Sequence, residues 1–194
     1  MRRTPFRNVL RLPPAVKRLI GDRRGVSAVE FALLAPMMIA LYFGCVGISD
    51  GVAIDRKVSL TAAALANLTA QVSSISASDM TGIFDASTAI ISPYAAGKLK
   101  MTISCLNIDK DKKVTVKWSA TKNGSKRTSF SFDSSNSALK VASSQLVYAE
   151  VTYDYEPVVG NSVVSNLTLS DHMFMSPRIS APAYTNGSET KTCT

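Results

Sequence analysis

The sequence predicts an α+β protein: a long N-terminal transmembrane helix that continues as a stem beyond the membrane, then a short helix and an antiparallel β-sheet domain. Three observations carry this. Residues 26–48 run 23 positions with one ionisable group, Glu30, enough to cross a bilayer at about 1.5 Å per residue. Past residue 48 the apolar positions keep helical spacing, and from residue 98 onward the spacing changes to alternation.

The first 25 residues come before the fold. They hold Arg2, Arg3, Arg7, Arg11, Lys17, Arg18, Arg23 and Arg24 against Asp22, or 8 − 1 = +7 of a formal net charge of +8. The remainder, with 14 basic and 13 acidic residues, is nearly neutral. A domain without net basicity lacks the means to release counterions from a phosphate backbone, so nucleic acid is excluded as a partner. A short basic flank instead stays cytoplasmic, placing the domain across the membrane, which in a bacterium is the periplasm. Pro13 and Pro14 and the missing period argue against stable structure in residues 1–22; the alternative is a basic amphipathic helix over 9–20, interrupted by the prolines. An ordinary signal peptide is disfavoured, because its apolar region usually runs 7 to 15 residues.

The helix is expected to persist to about residue 76. Ile54, Val58, Thr61, Leu65, Leu68, Val72 and Ile75 follow spacings of 4, 3, 4, 3, 4 and 3, a heptad stripe. Carried backward, the stripe meets Gly51, Gly47 and Gly44, a single contact face with Ile54, Val58 and Leu65 as its packing residues. Gly47 and Gly51 form a G-x-x-x-G, which permits close approach of membrane helices; local flexibility is an equal reading. Pro36 removes one helix hydrogen bond and either kinks or unwinds the span.

Residues 78–91 predict the short helix, capped by Ser78 or Asp79, with Met80, Ile83, Phe84 and Ile90 as its apolar positions and Pro93 ending it. Strands follow at 98–108, 114–118, 128–132 and 145–155. Asn123-Gly124 supplies a hairpin turn between the second and third. In the last, Val147, Ala149, Val151, Tyr153 and Tyr155 alternate toward the core. Ser134 to Ser137 and the tail from Tyr184 read as loop.

Catalytic chemistry is not visible. The single histidine, His172, stands beside Asp171, without a nucleophile or phosphate loop around it, and reads as a surface residue. Asn107, Asp109 and Asp111 alternate like oxygen ligands, but the interleaved lysines and the missing glycine and distal glutamate favour a solvated turn. No cofactor or metal is expected. The Asn-x-Ser/Thr tripeptides at Asn166 and Asn186 are short patterns with a high chance rate. Cys45 lies in the span and reads as a small apolar residue. Cys105 and Cys193 would both lie in an oxidising compartment, and a disulfide between them is expected to tie the tail to the sheet.

The stretch Arg23-Arg24-Gly25-Val26-Ser27-Ala28-Val29-Glu30-Phe31-Ala32-Leu33-Leu34-Ala35-Pro36 resembles the processing site and first helix of TadE/TadG-family proteins, pilin-like minor components of tight-adherence (Tad) type IV pili. Val147 to Pro157 and Met173 to Arg178 are similar to the strand and closing Pro-Arg segment of that family. The resemblance implies cleavage by a prepilin peptidase between Gly25 and Val26. It makes Glu30, fifth from Val26, an assembly residue that pairs with the free α-amino group of a neighbouring subunit. Without a partner, Glu30 would be a protonated or snorkelling carboxyl near the interface; two opposite charges leaving water together cost less than one alone.

The domain plan is then a cytoplasmic leader over 1–25, a transmembrane helix over 26–48, a periplasmic helix extension over 49–76 and a globular domain over 77–194. The implied function is a minor pilin, or pseudopilin, of the bacterial inner membrane, acting in pilus assembly or initiation and hence adhesion, and not an enzyme. Its implied partners are the prepilin peptidase, other pilin-like subunits along the stripe, the inner-membrane assembly platform and the lipid bilayer. One rival is an uncleaved single-pass periplasmic binding protein, in which Glu30 is dispensable. A second is a secreted enzyme, which would need cleavage beyond the apolar run.

Overall fold

The computed structural model describes residues 25–156 and 167–194. Expectations for residues 1–22, for Arg23 and Arg24 and for Pro157 lie outside them. The chain divides into two compact units, Met1–Cys45 and Val46–Thr194.

Helix α1, Val26–Ala70, contributes to both units and passes through Pro36 without a break in its assignment. In the second unit its buried positions are Gly47, Ile54, Val58, Thr61, Ala62, Leu65, Ala66, Thr69 and Ala70. From residue 61 they come as adjacent pairs four apart, the period of a straight helix lying on one surface. The buried hydroxyls on this face bond to their own helix, Thr61 Oγ1 to the Lys57 carbonyl at 2.7 Å and Thr69 Oγ1 to that of Leu65 at 2.9 Å.

The helix ends at Ala70, short of the expected residue 76. Gln71 to Ser76 is rich in serine and β-branched residues, weak helix formers. Two distant segments supply bonds that a further turn could not. The Arg178 N–H donates to the Ala70 carbonyl at 2.9 Å and its guanidinium reaches Asn67 Oδ1 at 2.8 Å, a cation at a helix C-terminus. Strand β1, Ser74–Ser76, pairs in parallel with β6, Ala183–Asn186. The heptad stripe therefore fails in its last third: Leu68 is half-buried, Val72 exposed and Ile75 buried in a strand.

Helix α2, Ala77–Ala89, is capped by Ser76, two or three residues before the expected caps. Ser76 Oγ accepts from the Asp79 N–H and Asp79 Oδ2 accepts from the Ser76 N–H at 3.0 Å, a capping box. The Ser76 hydroxyl and then its N–H hold the Asp79 carboxyl below the usual carboxylate range. Met80 and Phe84 are its buried apolar side chains. Lys57 of α1 ties down the turn that follows, donating to the carbonyls of Ile90 at 3.1 Å and Ser92 at 2.6 Å.

The main sheet has four antiparallel strands in the order β3-β2-β4-β5: Val114–Lys122, Leu99–Ile108, Ser144–Tyr155 and Leu167–Met175. Leu99, Met101, Ile103 and Cys105 of β2 and Val147, Ala149, Val151, Tyr153 and Tyr155 of β4 face the α1 stripe and form the main core. The tail is ordered where loop was expected. Strand β6 pairs with β7, Glu189–Lys191, and Cys193 is joined to Cys105 with Cα atoms 5.9 Å apart. Trp118 Nε1 anchors the approach to β6, donating to the Pro182 carbonyl at 2.9 Å.

The expected third strand over 128–132 does not form. Asn123, at φ 57°, does turn the chain, but back across the outer face of the sheet and not into a hairpin. The Arg127 N–H donates to Ser119 Oγ at 3.0 Å, Thr102 Oγ1 donates to the Ser125 carbonyl and the Arg127 guanidinium pairs with Glu150 at 2.6 Å. A Cβ at Gly124 would stand 2.9 Å from Thr121 Oγ1, so only glycine allows so close a crossing. Phe130 and Phe132 then meet Tyr148 and Phe174 over Leu106, Ile108 and Leu146, a second core on the face of the sheet opposite Val147, Ala149 and Val151.

Candidate functional site

The candidate site is the start of α1. Gly25 and Val26 are exposed, and so is Glu30 one turn further on. Around Glu30 the surface is apolar: Val29, Phe31, Leu33 and Leu34 are all exposed, Phe31 at 70% and Leu33 at 74%. Among the described residues α1 is the one helix long and apolar enough to cross a membrane. In water such a surface would carry a large hydrophobic penalty, and a membrane anchor accounts for it.

Glu30 takes part in none of the salt bridges among the described residues. Among the described residues its carboxyl has no charged partner, and an opposite charge brought by another molecule could meet it on this apolar face.

The expected packing residues fall into two groups. Gly44 is half-exposed and faces open space. Gly47 and Gly51 lie beneath Tyr155 of the same chain: the Tyr155 hydroxyl is 3.5 Å from the Gly47 carbonyl, and a Cβ on Gly51 would meet the tyrosine ring at 3.8 Å. An apolar hollow of about 280 Å³ opens beside them, lined by Ile48, Val52, Leu167 and Leu169. Ile54, Val58 and Leu65 are fully buried in the chain's own core. This corrects the reading of Ile54, Val58 and Leu65 as a face for other subunits: the sheet of the same domain occupies it, and the exposed large apolar positions of this part of α1 are Val46, Ile48, Val52 and Leu60.

Of the remaining candidates, Asp109 closes a turn, its Oδ1 accepting from the N–H groups of Asp111 at 2.9 Å and Lys113 at 2.7 Å. His172 lies within β5 opposite Glu150, its ring 5.8 Å from Tyr148 and 5.6 Å from Phe174. Among the described residues no cluster of three or more histidine, cysteine or acidic side chains could hold a metal ion.

Sequence reasoning missed Lys57, Tyr155 and Arg178 as the residues that fasten α1. Their partners lie 33 or more positions away, and no local period marks them.

Residues 25–66 match the family model described as TadE-like protein, consistent with a TadE-like protein of the Tad pilus system. The matched segment opens at Gly25 and contains Glu30 and most of α1. No curated protein and no solved structure matches the chain.

Proposed function

We propose that the chain is a membrane-anchored, pilin-like minor subunit of a Tad-type pilus, processed between Gly25 and Val26 and acting in pilus assembly or initiation. The observation that carries this reading is the coincidence of three boundaries. The family match begins at Gly25, the helix begins at Val26, and the one carboxylate of the apolar segment follows as the fifth residue.

In this reading residues 26–48 lie in the inner membrane, the basic leader remains cytoplasmic until it is removed, and the part from residue 49 onward stands in the periplasm. Glu30 then pairs with the α-amino group of a neighbouring subunit, a charge-assisted contact made strong by the surrounding lipid. The assembly platform and the other subunits meet the exposed residues of α1. The prepilin peptidase acts on this chain, which is itself a structural component. A disulfide between Cys105 and Cys193 suits the oxidising periplasm.

The deciding experiment is the N-terminal residue of the protein taken from its native membrane. A start at Val26 is expected, and Glu30→Ala should then leave insertion intact while reducing piliation. A retained Met1 would replace this reading with an uncleaved periplasmic anchor, and a start beyond Ile48 would remove the pilus reading.

A further inference from the structure

The outer face of the main sheet, crossed by residues 124–133, holds two adjoining hollows that nothing in the pilus reading uses. They share Arg127 and Ser129 and measure about 510 and 420 Å³, each within the range of small-molecule sites, about 300–1,000 Å³. We propose that the larger hollow, walled by Arg127, Asp133, Asn136, Tyr148 and His172, binds a neutral saccharide, and that the smaller one accepts the next sugar of the same chain.

The wall presents donors and acceptors in nearly balanced charge. Arg127 donates, Asp133 accepts, Asn136 does both, and the hydroxyls of Ser129 and Ser131 do either. A sugar hydroxyl, which donates and accepts at once, satisfies such a mixed set. In the larger hollow a phosphate or sulfate would meet the Asp133 carboxylate and a free cation would meet Arg127; the smaller hollow adds Lys126 and Lys100, the latter paired with Asp154 at 2.7 Å, beside Glu150.

Arg127 is held in place before any ligand arrives. Its guanidinium pairs with Glu150 at 2.6 Å and lies over the rings of Phe130 and Tyr148, 5.7 and 5.2 Å from their centroids. A planar fork fixed on three sides loses little freedom on binding.

Tyr148 supplies an independent observation. Tyr148 is 6% exposed and lines the hollow, and its hydroxyl, unpaired among the described residues, opens to the solvent there. A ligand hydroxyl entering the hollow would replace water as its partner. Burial first, then the nearby Glu150 charge, raises the pKa of this phenol, so it stays a donor at physiological pH. Beside it the exposed His172 ring, edge-on to Phe174, offers a flat apolar surface to the C–H face of a sugar. The neighbouring hollow continues the hydroxyl-rich lining with Thr102, Thr128 and Thr152.

This role holds whether or not the chain enters a fibre, and its failure would leave the pilus reading intact. Full-length protein in nanodiscs should be titrated calorimetrically with chitotetraose and with cellotetraose, and with heparin as a sulfated control. Saturable binding of at least one neutral tetrasaccharide is expected, little changed between about 50 and 300 mM salt. Tyr148→Phe keeps the ring and its packing, and Asn136→Ala lies at the surface of the fold. Each should weaken binding about two- to tenfold, the loss of one neutral hydrogen bond, while Lys140→Ala should not. Absence of binding to both tetrasaccharides, affinity in both variants equal to that of the unsubstituted protein, or binding of heparin alone that fades with salt would each overturn the proposal.

Discussion

The two parts of α1 are built from one helix and differ in what their apolar side chains touch. Over residues 26–45 the large hydrophobic residues Val29, Phe31, Leu33, Leu34 and Leu41 are exposed, with no face kept polar. Over residues 46–70 the apolar residues gather on one stripe, and Ile54, Val58, Leu65 and Ala66 lose all contact with solvent. Backbone conformation does not separate these regions; the distribution of hydrophobicity does. An all-round apolar helix takes its stability from a nonaqueous surrounding, and an amphipathic one from a single packed surface. The same residue type therefore has opposite meanings in the two parts.

Placing one charge in each part tests that contrast most severely. Leu65→Asp would bury an unpaired carboxylate in the core, a cost of several kcal/mol that rivals the whole stability of a domain. Protease resistance of the domain should be lost. Leu33→Asp should leave the melting of the detergent-solubilised domain unchanged and weaken retention in carbonate-washed membranes, since an aspartate at mid-span costs about 2.5–3.5 kcal/mol. Unfolding of the domain by Leu33→Asp would break the comparison.

The cysteines repeat it on a smaller scale. Cys193→Ser opens a closure of 88 residues and should lower stability by about 2–5 kcal/mol, seen as a lower melting temperature under non-reducing conditions. Cys45→Ser, at an exposed position of the first part, should not move the melt.

Gly51→Ala sharpens the boundary between the parts and has the smallest effect. The new methyl would make ordinary contact with Tyr155 at 3.8 Å, and the gain in helix propensity is about 1 kcal/mol. A melting temperature raised by a few degrees is expected. A drop would mean that Tyr155 lies closer than this geometry allows.

What was legible in the sequence follows the reach of each signal. The apolar run, the inward set of β4 and the existence of α2 are local patterns, and Val147, Ala149 and Val151 are all fully buried as their alternation implies. The end of α1 was not legible, because it is decided by Arg178 and by β6, more than a hundred positions downstream. Asn123-Gly124 was read as a turn, and it is one; its outcome differs because Thr102, Ser119 and Glu150 offer polar partners on the sheet face that compete with strand pairing. Glu30 was legible as an anomaly of composition, whereas Arg127 sits among lysines and serines with no period to mark it.

The parallel pairing of Ser74–Ser76 with Ala183–Asn186, and the bridge from Cys105 to Cys193, give the domain a direction in time. A chain delivered N-terminus first presents the end of α1 and the whole of β2 long before their closing partners arrive. Cys105 waits through the delivery of 88 residues for its mate. Until then the apolar side of the sheet has only α1 and α2 to cover it. Delivery and folding are thereby ordered: the helix forms first, and the domain locks only after its late segment has arrived.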